Sequence, residues 1–185
     1  MALKLIHTAD WHLGQTFYEY DRREEHFHFL EWLKQQIKQH EIDVLLIAGD
    51  VFDSPNPSAE SQRVYYRFLR EVTSENPSLQ IVIIAGNHDS AARLEAPNPL
   101  LEDMNIIVRG TVRRNAEGDI DLQHFIVPLY TEGKVTAYCL AVPYLRQGDY
   151  PSAENYSKGV QQLYEQLFNK VKEKGILVVA MGHLQ

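Results

Sequence analysis

A chain of 185 residues with 44% hydrophobic side chains can bury a sizeable core, and its length favours one domain over two. A net charge of −7 argues against simple electrostatic binding to nucleic acid, which needs clustered lysine and arginine, but leaves room for binding assisted by bound cations. No run approaches the roughly 18 apolar residues of a membrane span, no signal-peptide pattern opens the chain, and Cys139 has no partner for an internal disulfide, so a cytoplasmic protein without a membrane partner is expected.

In chain order, strands alternate with helical patterns. Leu3–His7 is a short apolar run of the kind buried in a sheet covered on both faces, and Asp10-Trp11-His12 follows at once. Asp21 is placed to cap a helix running to about His40, with Phe27, Leu30, Leu33 and Ile37 turned to the core. The strand Val44–Ala48 ends at Gly49-Asp50-Val51-Phe52-Asp53. A second helix is expected from about Ser58 to Thr73, between Pro57 and Pro77. The strand Ile81–Ala85 ends at Gly86-Asn87-His88-Asp89, and a helix over 90–104 should be broken or kinked by Pro97 and Pro99. Strands are expected near Ile106–Val108, Gln123–Val127 and Thr136–Val142, the last holding Cys139, with Ala116–Asp119 as a hairpin-like surface turn. Tyr164, Leu167, Phe168 and Val171 mark a helix from about Asn155 to Lys174, and the strand Ile176–Met181 leads into Gly182-His183.

Four polar motifs therefore stand just past four apolar strands. In open α/β sheets ligands gather beyond the carboxyl ends of the strands, so these loops can converge on one crevice, where Gly49, Gly86 and Gly182 permit tight turns and close approach. Carboxylate, imidazole and amide oxygen together suit a divalent ion such as manganese, iron, zinc or magnesium. A carboxylate can bridge two ions, and Asp50 is the natural bridge. Two ions about 3.5–4 Å apart clamp the attacking and leaving oxygens of an in-line displacement and acidify the water between them. Phosphate ester hydrolysis is the reaction class this set of residues suits.

The order of the motifs resembles the calcineurin-like metallophosphoesterase superfamily, from Leu3 to His183. Within it, the run Thr8-Ala9-Asp10-Trp11-His12-Leu13-Gly14-Gln15 with Gly49–Asp53 is similar to the SbcD family of bacterial nuclease subunits, as is Ala141-Val142-Pro143-Tyr144-Leu145-Arg146. The resemblance implies a four-layer α/β/β/α sandwich. It implies one metal held by Asp10, His12 and Asp50 and a second by Asp50, Asn87 and His183, with manganese expected first and magnesium as the alternative. His88 is implied to bind no metal but to orient or protonate around the scissile phosphate, with Asp89 holding its imidazole in the useful tautomer. The implied activity is hydrolysis of DNA phosphodiesters, as a 3′→5′ exonuclease and endonuclease in DNA repair, replication and recombination. The implied partners are DNA, an SMC-like ATPase of the SbcC type, and a second copy of the chain docked through helices near 58–73 and 90–104.

Arg22 and Arg23, which follow the loop from the first motif, are the candidate substrate contacts, while Arg63, Arg67 and Arg70 read as a solvated face. Asp53 stands where eukaryotic and archaeal relatives carry a histidine, so the resemblance assigns it no role. The family completes its site with a later Gly-His-X-His segment lying beyond Gln185. Each metal is therefore expected to lack one histidine, and the chain reads as the N-terminal part of the nuclease domain, truncated before a capping region and ATPase-binding helices. His26 and His28 face different ways on their helix, and His7, His40 and His124 have no ligand-like neighbours, so all five read as ordinary structural histidines. The metal motifs alone also fit an enzyme acting on a small phosphomonoester, nucleotide or cyclic nucleotide. The missing ligands fit a non-catalytic module that binds DNA or a partner.

Overall fold

The computed structural model describes residues 2–184. The chain opens with β1 (Leu5–Thr8), a small hairpin of β2 (Thr16–Phe17) and β3 (Tyr20–Asp21), and α1 (Arg23–His40). It continues through β4 (Val44–Ala48), α2 (Ala59–Glu75), β5 (Gln80–Ile84), the short helices α3 (Ala91–Glu95) and α4 (Asn98–Leu101), and β6 (Ile106–Arg109). The second half comprises α5 (Leu122–Phe125), β7 (Ile126–Thr131), β8 (Lys134–Ala141), α6 (Tyr156–Val171) and β9 (Leu177–Met181).

Strands β1, β4, β5 and β6 form one parallel sheet in that order, with Val44 opposite both Leu5 and Gln80. A second sheet has the order β7-β8-β9, antiparallel between β7 and β8 and parallel between β8 and β9. The two-residue period of a strand sorts the side chains into layers. Leu45, Ile47, Ile81 and Ile83 turn outward to meet Leu30, Leu33 and Ile37 of α1 and Tyr65, Phe68, Leu69 and Val72 of α2. Val44, Leu46, Ala48, Val82 and Ile84 turn inward against Val127, Leu129, Ala137, Cys139 and Ala141 of the second sheet. The outer face of that sheet, with Ile126 and Leu140, is covered by Val160, Leu163, Leu167 and Val171 of α6. The result is the four-layer α/β/β/α sandwich, and each buried aliphatic side chain contributes roughly 1.5–3 kcal/mol. Cys139 sits in the middle layer, where burial pushes its thiol up to about 12.

Several expectations change. β4 and β5 are buried throughout, but β1 and β9 are sheet edges, so Leu5 and Leu177 are exposed. Phe27 and Phe168 lie outside the core stripes of their helices, 55% and 48% exposed. Arg22 takes the N-cap position of α1, and Asp21 instead accepts the N–H of Arg23. The segment expected as strand Gln123–Val127 begins as a helical turn, because the Asp121 carboxylate caps it by accepting the N–H of Gln123. As expected, the helix over 90–104 breaks at Pro97, whose missing N–H ends α3 and starts α4. The β2–β3 hairpin was not anticipated, since two-residue strands carry no periodic signal.

Candidate metal centre

The loop after β1 runs beside the loop after β4. Asp10 donates its backbone N–H to Gly49 (3.1 Å), His12 to Asp50 (2.9 Å) and Leu13 to Val51 (2.9 Å). This ladder lifts Asp10, His12 and Asp50 into left-handed backbone, with φ of 57°, 46° and 49°. Such conformations cost on the order of 1–3 kcal/mol each and persist where the surroundings over-determine them, most often at functional sites. Gly86 has no alternative, because a Cβ there would overlap the backbone nitrogen and carboxylate of Asp50.

Asp50 is buried, and its Oδ2 lies 3.6 Å from His12 Nε2 and 3.5 Å from His183 Nε2. Asp10 Oδ1 is 3.8 Å from the same His12 nitrogen, and Asn87 Oδ1 is 3.0 Å from the same His183 nitrogen. Two half-sites thus share one carboxylate, with Asp10 and His12 on one side and Asn87 and His183 on the other. The His183 tautomer is set from behind: Nδ1 lies 2.8 Å from the carbonyl oxygen of Ala48, which can only accept, so the proton sits on Nδ1 and Nε2 presents its lone pair. The His183 lone pair, the Asp50 carboxylate and the Asn87 amide oxygen then face one another, an arrangement that divalent cations satisfy. Asp10, His12 and Asp50 each bring a ligand atom within 4.8 Å of the others, as do His12, Asp53 and His88.

Asp53 lies between two histidines. Its backbone carbonyl accepts from His88 Nδ1 at 2.9 Å, and its carboxylate reaches within 3.3 Å of His12 Nδ1 without the alignment of a hydrogen bond. The two rings meet edge to face with centroids 4.9 Å apart. The Asp53 carbonyl raises the His88 pKa, and the carboxylates of Asp50, Asp53 and Asp89 push the same way against burial. Asp89 does not touch this ring as expected. Its carboxylate is buried and accepts three backbone N–H groups, from Gly86 (2.9 Å), Phe52 (3.0 Å) and Val51 (3.2 Å), so it staples the β4 loop to the β5 loop. Burial pushes its pKa up, the three donors pull it back, and Asp50 adds to the rise.

The remaining candidates, Arg22 and Arg23, stand at the start of α1. Arg22 is tied to Gln15 and Glu25, and Arg23 pairs with Asp21 at 3.0 Å, so both charges are locally compensated. Of the residues that sequence reasoning missed, Tyr164 donates its hydroxyl to the Met181 carbonyl at 2.9 Å and fixes the approach to His183. Its only sequence signal was its place on the inner stripe of α6. Tyr144 packs edge to face near His183, with ring centroids 6.4 Å apart. Among the described residues no helix is long and apolar enough to cross a membrane.

The model of the calcineurin-like phosphoesterase family matches residues 3–185. The chain is 45% identical over 150 residues to the SbcD subunit of the SbcCD nuclease of Rhodobacter capsulatus, covering 80% of this chain and 37% of that protein. It is 29% identical over 196 residues to the protein of the same name in Escherichia coli K12, covering 98% and 46%, and 39% identical over 108 residues to the one in Bacillus subtilis, covering 58% and 27%. The chain spans less than half the length of these curated relatives. A family match over almost every residue, on a sandwich whose strand ends bring two carboxylate–imidazole half-sites together at Asp50, means that the chain belongs to the calcineurin-like phosphoesterase family of divalent-metal enzymes.

Proposed function

We propose that this chain carries the catalytic centre of a two-metal DNA nuclease subunit, hydrolysing phosphodiesters with manganese as the preferred ion. The observation that carries the reading is the shared carboxylate: Asp50 Oδ2 stands between His12 Nε2 and His183 Nε2 at nearly equal distances of 3.6 and 3.5 Å. The names of the relatives, subunits of an SbcCD nuclease, support DNA as the substrate and an SbcC-type ATPase as the partner.

Asp10, His12 and Asp50 would hold one ion and Asp50, Asn87 and His183 the other, with further ligands supplied by a later Gly-His-X-His segment of the whole protein. When bound, the ions supply Lewis acidity to the phosphate and an activated water. The chain's own residues do the rest. The Ala48 carbonyl holds the His183 ring so that its Nε2 faces the phosphate site, and the Asp53 carboxylate stands beside His12 Nδ1. His88, exposed and anchored through Nδ1 to the Asp53 carbonyl, presents Nε2 to solvent and delivers a proton to the leaving alkoxide. Arg22 and Arg23 are rim contacts for the DNA backbone once released from their intramolecular partners. The faces of α2 and of the broken helix over 90–104 are the docking surface for a second copy.

A manganese-dependent assay on linear duplex and single-stranded DNA, run on the protein extended through the Gly-His-X-His segment, tests the reading. Release of 5′-phosphorylated nucleotides is the expected result. Hydrolysis of nucleotides or p-nitrophenyl phosphate with DNA left intact would replace it with a small-phosphoester activity.

A further inference from the structure

Beside the metal centre, immediately after His12, lies a separate cavity of about 100 Å³. At about 30 Å³ per water it has room for roughly three waters, enough for the edge of one heterocyclic base. Leu13 and Val64 supply apolar wall; Asp21, Arg23, Glu60, His26, Ser58 and Ser61 supply polar groups. It is walled by α1, by the first turn of α2 and by the stem of the β2–β3 hairpin.

His26 is the informative residue. It is only 9% exposed, yet its imidazole makes no hydrogen bond to any described residue, although it lines this cavity. Burial and the neighbouring Arg22 lower its pKa, against Glu25, Asp21 and Asp53, so the ring is neutral and offers one donor and one acceptor. Across from it, Ser61 and Ser58 share a hydroxyl contact at 2.9 Å while Ser58 Oγ accepts the Ser61 N–H at 3.0 Å, leaving one hydroxyl proton to give. Asp21 is paired with Arg23 and Glu60 with Arg63, so the wall carries no uncompensated charge to hold an ion, and the polar groups disfavour a hydrocarbon. A flat, uncharged ligand with alternating donors and acceptors matches what remains.

Resting on the nuclease reading, we propose that this cavity receives one unpaired nucleobase of the DNA strand whose phosphate lies at the metal centre. Leu13 links the two sites directly, since its carbonyl accepts the Asp53 N–H at 3.4 Å one residue beyond His12. The hairpin that walls the cavity also carries Phe17, Tyr18 and Tyr20, exposed by 62%, 85% and 76%. These rings offer π-faces to neighbouring bases, a sequence-tolerant form of single-strand binding. A paired base cannot enter, because its edge is occupied, so the cavity selects frayed ends and single strands.

Two measurements on the extended, magnesium-loaded protein decide this. In the first, the His26 ring signals are followed by NMR, assigned by their loss in His26→Gln, while thymidine 5′-monophosphate or 2-deoxyribose 5-phosphate is added. A shift with the nucleotide alone is expected. A shift with both probes would show an anion site, and a shift with neither would show a water-filled cavity; either overturns the proposal. In the second, single-stranded oligonucleotides carry an abasic residue at each position flanking the cut. One position should raise KM about 10-fold in the wild type, and His26→Leu should erase that penalty while His26→Gln restores part of it. An abasic penalty that persists in His26→Leu also overturns the proposal. If the wild type cuts no DNA at all, the nuclease reading fails, and the NMR comparison still decides the cavity.

Discussion

Replacing Asp89 with asparagine distinguishes a structural staple from a catalytic partner. The carboxylate is 1% exposed, with Oδ2 accepting from Gly86 and Val51 and Oδ1 from Phe52. Asparagine keeps the shape but only one acceptor oxygen. Whichever way the amide turns, its NH2 faces at least one backbone N–H, and one buried donor is left unsatisfied at a cost of about 1–3 kcal/mol. Relief of the buried charge, whose cost shows in the raised Asp89 pKa, offsets part of this, so a loss of about 2 kcal/mol is expected. The loops released are those that carry Asp50 and Asn87, so affinity for divalent ions should also fall, by about 10–100-fold as for other supports of metal ligands. Urea unfolding of the metal-free protein and calorimetric manganese titration measure the two effects. An unchanged unfolding midpoint and unchanged metal affinity, with turnover reduced as far as in His88→Ala and no further in the double variant, would refute the staple. That outcome would restore Asp89 as the partner of the His88 ring.

Asp50→Ala should weaken both metal sites by on the order of 100-fold or more, whereas Asn87→Ala should weaken mainly the second; loss of a single ion in Asp50→Ala would contradict the shared carboxylate. His88→Ala should retain metal uptake and lower turnover by roughly 10²–10⁴, and loss of uptake would make His88 a ligand instead. His124 is buried beside Arg109 and Arg113, and burial first, then those charges, lower its pKa to about 4. The unfolded chain takes up this proton below about 6.5 and the folded chain does not, so stability should fall from pH 6.5 to 4, by at most about 3 kcal/mol, and level off below. His124→Phe should remove that part of the acid slope in unfolding midpoints measured across the range.

The two periodicities of the chain were legible without coordinates. Val44–Ala48 and Gln80–Ile84 are continuous apolar runs because both faces of those strands are covered, and the glycine-led motifs directly after them mark where a parallel sheet presents its loops. The pairing of Asp10 with His12, and of Asp50 with the loop that follows it, is local in sequence, so residue type and spacing were enough to nominate them. What required the tertiary structure was every contact made across the sandwich. His183 takes its tautomer from a backbone carbonyl 135 residues away, and Asp89 spends its carboxylate on backbone donors 37 and 38 residues back, although its neighbour in sequence is the His88 ring. Phe27 and Phe168 have the residue type of core positions but lie on faces that no layer covers among the described residues, where β1 and β9 are also sheet edges. Sequence pattern specifies which side chains a strand or helix turns to one face; only the stacking of the layers decides whether that face meets protein, and which backbone groups a buried carboxylate will find there.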